Sequence, residues 1–174
     1  MPYLRHAVQA IVVLSAMLSV SPAGAQTDAE RTRMLEGAWR FVETTNPRTL
    51  AVVDNQPGYR LFVDGHFAWV RVNGLRPRPQ PTSTSTTDLL RSVYVAGFLA
   101  QAGTYEVRGD TMISRPIVHR DPAAMAEGNY QVWFIRLDGA DTLYVSLIAN
   151  QAGPVDNVIT GMYVREAPPA VPGN

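Results

Sequence analysis

Three tight-turn signals, Asp64-Gly65, Gly109-Asp110 and Asp138-Gly139-Ala140-Asp141, each lie between two runs of alternating apolar and polar residues. That arrangement confines most of the chain to antiparallel hairpins. In the first, GYRLFV and HFAWVRV flank the turn and pair Val63 with His66, Leu61 with Ala68 and Tyr59 with Val70. This nearly all-apolar set is assigned to the inward face. The opposite set, Arg60, Phe62, Phe67, Trp69 and Arg71, is then outward, where its aromatic rings require a covering element. In the second hairpin GTYEV and TMISRPIV put Tyr105, Val107, Met112 and Ser114 on one face and Thr104, Glu106, Ile113 and Arg115 on the side toward water. The third, residues 129–137 with 142–149, gathers Trp133, Ile135, Leu137, Leu143, Val145 and Leu147.

The stretch LEGAWRFVET, residues 35–44, reads as the first strand, with Trp39, Phe41 and Glu43 on one face before Asn46-Pro47 breaks it. A last strand runs over 158–166. Between the first two hairpins, NGLRPRPQPTSTSTT is a Pro, Ser and Thr-rich loop, read either as a connector or as a flap over a ligand. Residues 88–101 place Leu89, Leu90, Val93, Tyr94, Phe98 and Leu99 mostly at three- and four-residue spacings, which predicts a helix capped by Thr86 or Thr87 and ended near Gly103. Eight strands joined largely by tight turns imply an all-β, eight-stranded antiparallel barrel, able to hold a small ligand or a filled core.

Arg5 and His6 precede an apolar run from Ala7 to Val20, then SPAGA and Gln26. This order predicts a secretory signal peptide over residues 1–25, cut between Ala25 and Gln26, and hence a periplasmic or secreted protein. The alternative, a membrane anchor, is disfavoured because the run is shorter than the roughly 20 residues a bilayer requires. No cysteine follows Ala25 to carry a lipid, so no stable membrane anchor is expected. The remaining organisation is an exposed lead-in over 26–34, one barrel domain over 35–166 and a proline-rich disordered tail over 167–174. All 15 basic residues are arginine and one of them, Arg5, lies in the leader, so the rest carries 14 against 15 acidic residues, a formal net charge of −1. That balance offers nucleic acid no electrostatic footprint. With no cysteine, the fold rests on its core alone, and thiol chemistry is excluded.

Beyond the leader only His66 and His119 remain, without metal-ligand spacing, so neither a metal nor another cofactor is expected. A G-x-S-x-G elbow is absent, and Ser92, Ser114 and Ser146 have no base partner in the sequence. Trp39, Tyr59, His66, Tyr105, Ser114 and Trp133 would mix aromatic surface with polar tips inside a barrel, as ligand pockets do and as ordinary cores also do. The leading expectation is therefore an exported protein binding a small hydrophobic molecule in the barrel interior. An isomerase or cyclase using Glu43, His66 or Tyr105 as acid or base is one alternative. An envelope interaction module presenting Phe62, Phe67 and Trp69 is another.

Gly37-Ala38-Trp39 resembles the G-x-W signature of the lipocalins, and Arg165 resembles the cation that packs on that tryptophan. In order and spacing, LEGAWRFVE, YRLFVDGHF, AGFLAQAGTYEVRGDTM and LDGADTLYVSL resemble the bacterial lipocalin-like domain family, over nearly the whole chain after the leader. The resemblance implies an eight-stranded barrel, structural roles for Gly37, Trp39 and Arg165, and binding of a small, mainly apolar molecule. Ser114-Arg115 and Trp133-Phe134 depart from relatives that place histidine and arginine at the corresponding positions.

Overall fold

The computed structural model describes residues 26–46, 52–53, 56–72 and 80–167. The leader over 1–25, the first part of the Pro-rich loop and the tail from residue 168 lie outside the described residues. Ten strands follow in chain order: β1 (Gly37–Thr45), β2 (Val52–Val53), β3 (Gly58–Val63), β4 (His66–Val72), β5 (Phe98–Arg108), β6 (Thr111–His119), β7 (Gln131–Asp138), β8 (Thr142–Asn150), β9 (Gly153–Pro154) and β10 (Thr160–Arg165). Eight are long. They pair antiparallel in the order β10-β1-β3-β4-β5-β6-β7-β8, and β10 also pairs with β8, which closes the sheet. The all-β eight-stranded barrel is thus observed, and all three hairpins keep the registers their turns dictate.

The exposed lead-in before β1 forms a helix, α1 (Asp28–Leu35). Thr27 and Glu30 form a capping box: the Thr27 hydroxyl accepts the Glu30 N–H at 3.2 Å and the Glu30 carboxylate accepts the Thr27 N–H at 2.9 Å. Its last residue, Leu35, is fully buried among Trp39, Phe62, Tyr105, Met112 and Leu143, so α1 plugs one end of the tube. Burial of side chains of this size stabilises by about 2 kcal/mol each.

Trp39 and Arg165 face each other across the β1–β10 seam. The guanidinium carbon lies 4.1 Å from the Trp39 ring centroid, while the indole N–H donates to the Leu35 carbonyl at 2.7 Å. Arg165 also donates to the carbonyls of Met34, Glu36 and Ala140. Gly37 makes room: its φ is +116°, and a Cβ there would sit 3.1 Å from Arg165 Nη1. The Glu36 side chain, at the end of α1, accepts from the Asp64 N–H and the Tyr105 hydroxyl, both at 3.3 Å. One arginine and one glutamate therefore tie the plug to both flanks of the barrel.

The helix expected over 88–101 is shorter than its periodicity implied. A helical turn, α2 (Thr87–Leu90), passes into a π-helical turn (Arg91–Ala96) and stops before Phe98. Residues 98–101 belong to β5, whose partner β4 supplies a continuous register from Val72–Phe98 to His66–Thr104. Leu89, Phe98 and Leu99 fit the helical spacing, but the pairing available along β4 outweighs local propensity. The β5–β6 ladder is kinked between Ala102 and Gly103, opposite Pro116. Any Cβ on Gly103 would lie 2.0 Å from the Arg115 carbonyl oxygen, so the strands approach closely there only because residue 103 is glycine.

Arg165→Met is expected to lower stability by about 3 kcal/mol, since it strands three carbonyls and uncovers Trp39. The check is a fall in urea midpoint at constant m; a loss below about 1 kcal/mol would show that the latch is dispensable. Burial foremost, and the charge and hydrogen bond of Glu36 next, push the Tyr105 pKa above the usual 10.0. A raised pKa favours the neutral phenol in the folded state, so this contribution is complete below pH 10 and is lost as pH rises beyond it. Tyr105→Phe should flatten the alkaline fall of the urea midpoint, and an unchanged slope would refute that assignment.

Candidate functional site

At the end remote from α1 the interior is not filled. A cavity of about 310 Å³ is lined by residues from all eight long strands, Thr44 of β1 and His119 of β6 among them, and by the segment before β10. Leu99, Val145 and Leu147 form an aliphatic wall, Trp69 and Trp133 an aromatic one, and Ile159, 41% exposed, marks where the cavity meets solvent. Trp69 and Trp133 meet edge to face at 5.6 Å.

The strand alternation of the first hairpin is opposite to the one expected. Arg60, Phe62, Phe67, Trp69 and Arg71 point inward, whereas Tyr59, Leu61, Val63 and Val70 are exposed on the outer wall. The apolar set looked like core because burying two arginines is costly. The structure meets that cost with aromatic faces. Arg60, only 2% exposed, lies 4.3 Å from the Trp69 ring, 4.5 Å from Trp133 and 5.2 Å from Tyr163. Arg71 lies 4.0 Å from the Phe41 ring and donates to the Thr44 hydroxyl at 3.0 Å. Cation–π contacts of this desolvated kind are worth about 2 kcal/mol, against several for taking the ion out of water.

Neither guanidinium has a carboxylate partner among the described residues. The ion pairs found there, such as Arg40 with Glu166 and Arg115 with Glu106, all lie on the outer surface. Among the described residues five buried side-chain polar atoms have no partner on the protein, and four of them belong to residues lining this cavity: Arg60 Nε, Arg71 Nε, Trp69 Nε1 and Gln101 Oε1. Burial above all holds the Arg71 pKa below the ordinary guanidinium value; nearby Tyr163 opposes the shift and the Arg60 charge adds to it. Two like charges thus share one poorly solvated space with three N–H donors left over.

A bulge between Phe41 and Glu43 shapes the remaining wall. Trp39 and Phe41 point inward, but the extra residue reverses the alternation, so Thr44 lines the cavity opposite Gly161 and Glu43 pairs with Met162 instead. The expectation that Glu43 shares the Trp39 face is corrected accordingly.

Of the six residues expected to bind ligand, Trp133 lines the cavity. Its indole N–H donates to Ser114 Oγ at 2.9 Å, so fully buried Ser114 orients it. Trp39 and Tyr105 are buried at the α1 end, bonded to Leu35 and Glu36. Tyr59, at 44% exposure, is on the outer wall, and His66 is exposed beside the Asp64 turn, away from the interior. The acid–base candidates Glu43, His66 and Tyr105 therefore do not converge on the cavity. Phe62, Phe67 and Trp69, expected as an outer contact patch, form interior surface because the hairpin faces the other way. Arg60, Arg71, Gln101 and Tyr163 are the residues that sequence reasoning missed. For Arg60 and Arg71 the signal was the crowding of aromatic rings beside two arginines on one face of a hairpin; Gln101 and Tyr163 lie outside it, on β5 and β10.

No family model and no curated protein matches the chain. Among solved structures it is similar to a lipocalin-like protein from Bacteroides uniformis ATCC 8492, with 11% identity and a TM-score of 0.44 over 76% of this chain and 99% of that one. It is also similar to a redesigned beta barrel, with 13% identity and a TM-score of 0.42 over 78% of this chain and 95% of that one. The closed eight-stranded barrel itself rests on this chain's own strand pairing.

Replacing Arg60 by methionine removes an uncompensated charge while keeping length and apolar bulk. The ligand-free protein is expected to hold its stability or gain up to about 2 kcal/mol, because the relief of desolvation offsets the lost ring contacts. Urea denaturation reads the difference. A loss above about 1 kcal/mol would mean that the guanidinium serves the fold rather than the cavity.

Proposed function

We propose that the protein is an exported carrier that binds a small, mainly apolar molecule at the open end of the barrel and releases it chemically unchanged. The observation that carries this reading is the cavity of about 310 Å³ with tryptophan and aliphatic walls, set in a barrel otherwise packed solid around Leu35, Trp39 and Met112. Its volume falls at the lower end of the roughly 300–1,000 Å³ typical of small-molecule sites. Export is supported by the charged, apolar and small-residue order of residues 5–25. The separation of Glu43, His66 and Tyr105 from the cavity weighs against the isomerase or cyclase alternative.

Native mass spectrometry of protein purified from its own host is expected to show a small-molecule adduct that organic extraction removes intact. The same spectra should give a chain beginning at Gln26. Repeated purification without any adduct would count against the carrier, and a retained leader in the exported fraction against the proposed processing.

A further inference from the structure

We propose that the molecule taken up is an apolar monocarboxylate whose acid group is bound by Arg60 and Arg71. This inference deepens the carrier reading and rests on it.

A purely apolar occupant would fit the walls but not the floor. Arg60 Nε, Arg71 Nε and Trp69 Nε1 are already shut off from solvent at the cavity wall, and none of them has a partner on the protein. An apolar occupant leaves that cost in place, whereas acceptors placed beside these residues relieve it, most of all at the charged groups. A ligand must therefore bring acceptors. The described lining supplies no Asp or Glu, so acceptors carrying negative charge meet two positive charges and no repulsion.

The form of the acid follows from how the arginines are held. Aromatic rings cover the guanidinium face of Arg60 on Trp69 and Trp133, and that of Arg71 on Phe41. Covered faces leave the in-plane N–H edges for recognition, and a planar carboxylate matches such an edge with two parallel hydrogen bonds. The apolar body then runs along Leu99, Val145 and Leu147 toward Ile159, and the modest volume restricts it to a medium-length chain or a single ring system.

Calorimetric titration of the purified protein with octanoate and with octanol separates head from body, since the two share one alkyl chain. Octanoate is expected to bind about tenfold to a hundredfold more tightly, the worth of a charged hydrogen bond at a buried site. Arg60→Met and Arg71→Met should each bring the ratio of octanoate to octanol affinity down toward one, and an unchanged ratio in both would overturn the assignment. Equal binding of octanol and octanoate by the unchanged protein would overturn carboxylate recognition and leave the apolar carrier standing. Binding of neither compound would overturn both. The comparison on the unchanged protein needs no variant to fold, and emission from Trp69 and Trp133 reports the same occupancy independently.

Discussion

The guanidinium of Arg165 is the point on which the barrel closes. It lies on the seam between the first and last long strands, covers the Trp39 ring and binds carbonyls from the end of α1 and the β7–β8 turn. Three chain segments far apart in sequence, residues 34–39, the turn at Ala140 and the end of β10, thus converge on one planar cation. An eight-stranded sheet without this closure would expose two unpaired edges. Closure is also what makes an interior, and every property of the cavity follows from having one.

That interior is divided by chemistry. Toward α1 it is a conventional core in which Leu35, Phe62, Met112 and Leu143 pack with a T-shaped Phe62–Tyr105 pair at 5.1 Å. Toward the open end the same strands carry Arg60, Arg71, Gln101 and Thr44 between aromatic rings. The first half holds the tube together. The second half leaves charge and donors unsatisfied, which is a cost to the fold and points to an occupant.

Strand registers were legible in the sequence because a turn of two or, in the third hairpin, three residues fixes them locally, and Val63–His66, Val107–Met112 and Leu137–Leu143 all pair accordingly. The inner faces of the second and third hairpins were legible too, since hydrophobicity and burial agree there. The first hairpin broke that agreement. Tyr59, Leu61, Val63 and Val70 look like core and are exposed, while two arginines are enclosed. Hydrophobic alternation cannot reveal that Trp133 and Tyr163, dozens of residues away, supply the faces that make Arg60 tolerable inside. For the same reason Asp88 to Gln101 read as one helix: the competing ladder to β4 is not a local property. The site was least legible where it is least like a core.

The irregularity in β1 carries a further consequence. By inserting one residue's worth of backbone at Val42, the strand withdraws a carboxylate from the lumen and turns a hydroxyl toward Arg71 in its place. Uninterrupted alternation would present Glu43 on the Trp39 face, an internal counter-ion for a guanidinium. One carboxylate against the two guanidiniums of Arg60 and Arg71 would halve the lumen's positive charge and weaken its attraction for an acid. The polarity of the whole compartment is therefore decided by a local slip in a single edge of hydrogen bonds, rather than by the inventory of charges the chain contains.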